Sequence, residues 1–240
     1  MLRKIKNLLK PLMSTPMHPQ WFAARHQERI KGILQEEIKG PVVLDIGCGT
    51  KWPLALLPAS CRYVGLDYPD TAQWYATKPD VFGEAQNLPF ASGSMNTALM
   101  LDVLEHVPDS RKALLEASRC LVEKGRLVLL VPFMYPLHDA PHDYGRWTAY
   151  GLKKLAGESG FEIEKETYNG NPLETAALLS NIAMTKTVFN WISKRHMASV
   201  LVLLLPIYVL ASNLLAWLLC KIAPADALMP ISYQMVLKKK

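Results

Sequence analysis

The 240 residues include only four cysteines, Cys48, Cys61, Cys120 and Cys220, and none stands in a Cys-x-x-Cys pair. That spacing implies neither a disulfide framework nor a zinc site, and it fits a reducing cytosol. No stretch interleaves basic residues with aromatics. The net charge of +6 therefore does not read as a nucleic-acid groove, and an anionic membrane suits it better. Charges interrupt the apolar residues near the start, so a secretory signal is not expected. Gly47 and Gly49 stand one residue apart, but the third glycine of Gly-x-Gly-x-x-Gly is missing. Its absence argues against a bound pyrophosphate and for a nucleoside-type ligand without phosphates.

What is present centres on Val42-Val43-Leu44-Asp45-Ile46-Gly47-Cys48-Gly49-Thr50. The apolar, β-branched run reads as a buried parallel strand, too short for a core helix. The glycines let the backbone turn sharply and leave no side chain in a ligand's way. A second apolar run, Tyr63-Val64-Gly65-Leu66-Asp67, also ends in an acid. An acid at the tip of the second strand is where nucleotide-binding sheets hold ribose hydroxyls.

The first stretch, from Leu44 to Thr50, resembles the first motif of class I S-adenosylmethionine (SAM)-dependent methyltransferases. Gly83-Glu84-Ala85-Gln86-Asn87-Leu88-Pro89-Phe90 is similar to their adenine-side motif, and Leu101-Asp102-Val103-Leu104-Glu105-His106-Val107 to their fourth-strand motif. The three stand in the family's order, and the resemblance covers residues 42–168. Lys51 replaces a frequent glycine and Glu84 a usual aspartate. The resemblance, to the type 11-like members and among them those of bacterial saccharide pathways, implies an α/β Rossmann-like doubly wound sheet. That sheet is mostly parallel, with a last antiparallel strand, and the implied cofactor is SAM. The implied roles follow position by position. Gly47 and Gly49 line the methionine end, Asp45 orients the loop and the amino group, and Asp67 accepts both ribose hydroxyls. Gln86, Asn87 and Leu88 flank the adenine. Nucleic acid is not an expected partner, because Leu101-Asp102-Val103-Leu104 stands where base methyltransferases carry an Asn-Pro-Pro-Tyr type of motif.

Methyl transfer to a hydroxyl or acid requires alignment of the acceptor and a group to take its proton. Three catalytic candidates qualify: Asp102 at the tip of the fourth strand, His106 on the same loop, and His142, which ranks first. His142 lies in Pro136-Leu137-His138-Asp139-Ala140-Pro141-His142-Asp143-Tyr144-Gly145-Arg146-Trp147-Thr148, a segment leaving the fifth strand. It is similar to the acceptor-side loop of the saccharide-pathway members. His138, Asp143 and Arg146 are its substrate-binding candidates, with Arg146 either meeting an anionic acceptor or pairing with Asp143. No metal is expected: His138 and His142 have ligand spacing, but the prolines prevent a helix.

Helices are expected over 21–38, briefly after Pro53, and over 71–78, 109–122 and 148–156. The helix over 21–38 either covers the cofactor, as in the family, or simply packs. Strands are expected over 61–67, 81–85, 96–101, 125–133, 161–168 and 231–238. Three parts follow: a basic amphipathic segment 1–17, a SAM-binding domain of 18–170 with 230–240, and a hydrophobic helical insertion 171–229. Residues 197–220 carry no charge, and thirteen of them are Val, Ile or Leu. Such residues favour bilayer insertion by about 4 to 8 kcal/mol in sum, before the cost of Pro206, Ser199, Ser212 and Asn213. A single crossing would put 231–238 on the wrong side of the membrane from 161–168, and Lys186 would be costly inside a second arm. The expectation is a monotopic element, split at Pro206, on the cytoplasmic face of a membrane. A soluble cytoplasmic protein with a buried helix or a homodimer face is the alternative. The expected acceptor is a small or lipid-linked molecule.

Overall fold

The computed structural model describes residues 10–72, 75–223 and 226–240. After a 3-10 turn (Lys10–Ser14) the elements are α1 (Trp21–Glu37), β1 (Val42–Ile46), β2 (Arg62–Asp67), α2 (Pro69–Ala72), β3 (Val81–Phe82), β4 (Met95–Leu101), α3 (Ser110–Cys120), β5 (Leu121–Pro132), α4 (Ala149–Glu158), β6 (Phe161–Asn169), α5 (Pro172–Ser193), α6 (Leu205–Leu219) and β7 (Ser232–Lys239). Seven strands form one sheet in the order β3-β2-β1-β4-β5-β7-β6. β1 pairs in parallel with β2 and β4, and β7 runs antiparallel to β5. This is the Rossmann-like architecture the sequence implied.

Alternation along the strands explains the layers. Leu44, Ile46, Ala98, Met100, Leu127 and Leu129 enter one core cluster, while Val43, Leu99, Val128 and Leu130 enter another. A period of two with both sets apolar gives a sheet covered on both faces. Ile30, Leu34 and Ile38 cover the second cluster. Asp109 caps α3 by accepting from the Lys112 amide, and Thr148 caps α4 by accepting from the Gly151 amide.

Some expected boundaries move. The helix expected to reach residue 122 ends at Cys120, because Leu121 is already extended and pairs with Met95. Lys124, at φ 61°, lies where the register of β4 against β5 jumps. The third strand stops at Phe82, and Glu84 turns back on Asn87 instead of extending it. The short helix expected over 71–78 is only Pro69–Ala72, with 73–74 outside the described residues. Residues 1–9 of the expected amphipathic segment also lie outside them.

The chain divides into two compact units. The sheet unit is 30–133, 137–168 and 232–240; the other is 1–29, 134–136 and 169–231. The residues up to Arg29, which the sequence reading placed from 18 onward with the sheet, therefore belong to the second unit. Trp21, Phe22, Ala177, Leu178 and Ala216 form its apolar centre. A capping box of Asn171 and Glu174 starts α5. Buried Asn181 donates to Asn213, which itself donates to the carbonyls of Pro16 and His18. The charge-free stretch is a 3-10 segment, Met197–Leu203, bent by 52° from α6, with Pro206 in the first turn of α6. Among the described residues no single helix is long and apolar enough to cross a membrane.

Candidate functional site

A cavity of about 450 Å³ opens at the carboxyl ends of β1, β2 and β4. β1 has β2 on one side and β4 on the other, so chain order reverses there. Such switch points form a crevice because the loops leave in opposite directions. The volume lies in the range of small-molecule sites.

One wall belongs to β1 and β2. Gly47 and Cys48 both donate their amides to the Leu66 carbonyl, which folds the loop back over the strand ends. Gly47 has φ 72°, and a Cβ there would lie 2.4 Å from Val103 Cγ2. Only glycine fits that turn. Asp67 accepts from the Gly49 amide at 2.7 Å on Oδ2 and from the Tyr68 amide at 2.8 Å on Oδ1. The Asp67 side chain lines the cavity. Asp45 lies beneath the loop, 2% exposed, and accepts from the Tyr63 hydroxyl. Burial raises its carboxyl to about 7; the Tyr63 bond opposes the rise, the Asp67 charge adds to it and Lys51 lowers it.

The adenine-side residues divide. Gln86 lines the cavity, with its Oε1 held by the Asp109 amide at 2.7 Å. Asn87 is exposed, and Leu88 is buried with its amide donating to Glu116. Neither is among the cavity-lining residues, whereas Glu84 and Ala85 are.

The opposite wall follows β4. Asp102, at φ 55°, lines the cavity. The residue is exposed to the cavity; the desolvating neighbours and the Glu105 charge act to raise its carboxyl, and His138 opposes them. His106 and His142 also line the cavity. The His106 ring meets the His142 carbonyl through Nδ1 at 2.6 Å, and His142 Nδ1 lies 2.9 Å from the Tyr144 hydroxyl. Asp143 and Arg146 form a bidentate pair, and Asp143 also accepts from the His138 amide. The Arg146 bond leads in holding the Asp143 carboxyl at about 2. Of the two roles open to Arg146, pairing with Asp143 is the one present. His138, Asp143 and Arg146 are outside the cavity lining and stand behind His106 and His142.

The sequence reading named Asp67, Gln86, Asp102, His106 and His142 among the lining residues and missed Tyr68, Tyr75 and Tyr144. Tyr144 was legible in principle, two residues from His142. Tyr75 lies in the stretch read only as a short helix, and Tyr68 between that stretch and the second strand.

Residues 44–129 match the model of a family described as a methyltransferase domain. An uncharacterized protein of Methanocaldococcus jannaschii is 34% identical over 108 residues, 44% of this chain and 43% of that one. A Mycolicibacterium smegmatis protein named "Probable S-adenosylmethionine-dependent methyltransferase" is 28% identical over 156 residues, 60% of each. The chain spans less than two thirds of the length of the curated relatives it matches. Among solved structures, the [4+2]-cyclase SpnF has a TM-score of 0.58 at 15% identity, covering 98% of this chain and 94% of that one. A SAM-dependent methyltransferase from Aquifex aeolicus has a TM-score of 0.50 at 14% identity, covering 70% and 92%. Residues 44–129 are thus similar to a methyltransferase domain, and the named relative is described as SAM-dependent.

Proposed function

We propose that this chain is a methyltransferase that moves a methyl group from SAM to an oxygen of an acceptor met at a membrane surface. The observation that supports it most is the switch-point cavity, with Gly47 and Asp67 on one wall and Asp102 and His142 on the other. The residues suit the cofactor. Gly47 leaves bare backbone at the turn, and Asp67 presents carboxylate lone pairs for a vicinal diol. When bound, SAM supplies a methyl on a sulfonium, already a good leaving group. The chain's own work is alignment and proton removal. His142 takes the acceptor's proton at Nε2, its Nδ1–H directed to the Tyr144 oxygen. Asp102, which lines the same cavity, is placed to accept a hydrogen bond from the acceptor.

The membrane part of the reading rests on α6. Its buried positions are Val209, Asn213 and Ala216, whereas Ile207, Leu215 and Leu218 are exposed at 66%, 59% and 53%. A water-facing helix has the opposite arrangement. Lys221 lies 3.7 Å from the Trp217 ring at the end of this face, a pairing suited to a bilayer interface. A lipid-linked saccharide precursor is the leading acceptor, and a polyprenyl quinone or other lipid is the alternative. A SAM-binding scaffold without turnover is the reading from another class, and the likeness to a cyclase is a reminder that the fold admits other chemistry.

Calorimetric titration of the full chain with SAM and S-adenosylhomocysteine, repeated on Asp67→Ala, tests the first step. Binding that weakens at least about tenfold in the variant supports the reading, since hydrogen bonds to a charged group contribute roughly 1.5–3 kcal/mol each. Absence of binding by folded protein defeats it. Binding without transfer of labelled methyl to membrane extracts leaves the scaffold.

A further inference from the structure

We infer that Glu105, His106 and His138 form a binding site for a divalent transition-metal ion beside the cavity. Glu105 is fully buried, and among the described residues neither carboxylate oxygen has a hydrogen-bond partner. A carboxylate taken out of water without partners is costly, and native structures rarely leave one so. Two imidazoles face it: His106 Nε2 lies 3.6 Å and His138 Nε2 3.7 Å from the same oxygen, Glu105 Oε1. Those distances are too long for hydrogen bonds. They are close to the spacing of two ligands on one ion, about 3.4 Å for a tetrahedral site with bonds near 2.1 Å.

The far side of the His106 ring fits the same reading. His106 Nδ1 meets the His142 carbonyl, which can only accept, so its proton is on Nδ1 and the lone pair is on Nε2. His138 differs: its Nδ1 accepts from Arg146 Nη2 at 3.3 Å, because a guanidinium can only donate, and Asp143 Oδ2 lies 3.3 Å from the same nitrogen. Loading a metal at Nε2 moves the His138 proton to Nδ1, where it exchanges the Arg146 bond for one to Asp143 Oδ2. Backing of each imidazole by a carbonyl or carboxylate is the usual support of metal-bound histidine. Two imidazoles and one carboxylate suit zinc or iron(II) and leave coordination positions open. His106 lines the cavity, so an open position there would hold an oxygen of the acceptor. That use rests on the methyl-transfer reading, whereas the metal binding does not.

The test is titration of the chelator-stripped full chain with Co²⁺, read by visible absorption, followed by Zn²⁺ displacement. The expected result is one equivalent of Co²⁺ with visible bands, lost in both His106→Gln and His138→Gln and kept in His196→Ala. Asp143→Asn is expected to weaken binding about 10–100-fold while the bands remain. No bands in the unmodified chain, or an unchanged spectrum in folded His138→Gln, overturns the site. SAM titration runs alongside, so loss of cofactor binding and loss of metal binding are read separately.

Discussion

Asp45 and Asp143 are two buried carboxyls with opposite electrostatics. Burial holds Asp45 up at about 7, against the Tyr63 hydrogen bond. An unfolded aspartate titrates near 3.9. The folded protein therefore binds the Asp45 proton more tightly than the unfolded chain does. Its contribution to stability is greatest when protonated, declines as pH rises from about 4 to about 7, and is level above that. Asp45→Asn is expected to remove this decline, raising stability at pH 8 relative to the parent by about 4 kcal/mol at most. Urea unfolding from pH 4 to 8 measures it, and parallel curves for parent and variant would refute the assignment. Asp143 acts in the other direction. Held at about 2 chiefly by Arg146, its contribution is present above the unfolded value and is lost as pH falls from about 4 towards 2.

At the scale of the element, the loop after β1 separates two glycines that look equivalent in sequence. Both have positive φ, 72° at Gly47 and 48° at Gly49. A Cβ at Gly49 would find its nearest neighbour, Tyr75, at 3.5 Å, an ordinary contact, while at Gly47 it would collide with Val103. Gly47→Ala is expected to cost more than about 1 kcal/mol and to weaken SAM binding, and Gly49→Ala less on both counts. Thermal unfolding and calorimetry of the pair check the order; equal losses would remove the steric argument. The same element shows what could be read from sequence. The acids and glycines at strand ends were legible, because a strand end in a parallel sheet already fixes a place at the site. Gln86 against Asn87 and Leu88 was not, because three consecutive residues in a turn point in different directions and only the fold sorts them. Glu105, His106 and His138 were not read as a set either. The loop after β4 and the segment after β5 bring them together across 33 residues of sequence, with no spacing to mark them.

For the whole molecule the question is why a chain with half its residues hydrophobic leaves so many of them outside. In the second unit, polarity is turned inward: Asn181 and Asn213 are fully buried and bonded to each other, while Leu203, Ile207, Leu215 and Leu218 are exposed. The inward pair fixes the helix. Replacing Asn213 with Leu strands the Asn181 amide and the carbonyls of Pro16 and His18, at roughly 1–3 kcal/mol for each buried group left unpaired. The outward leucines contribute nothing comparable to folding, so selection for stability does not account for them. The proposed bilayer contact would account for them, with apolar side chains in the acyl boundary and Lys194, Arg195 and Lys221 at its anionic edge. Flotation with vesicles of phosphatidylcholine containing phosphatidylglycerol is expected to carry the full chain upward. The double variant Ile207→Ser with Leu215→Ser should stay at the bottom while keeping the parent's unfolding midpoint in urea. If the parent stays in the dense fraction and sediments as a dimer that the same double variant dissociates, the face belongs to a second copy of the chain and the membrane reading fails.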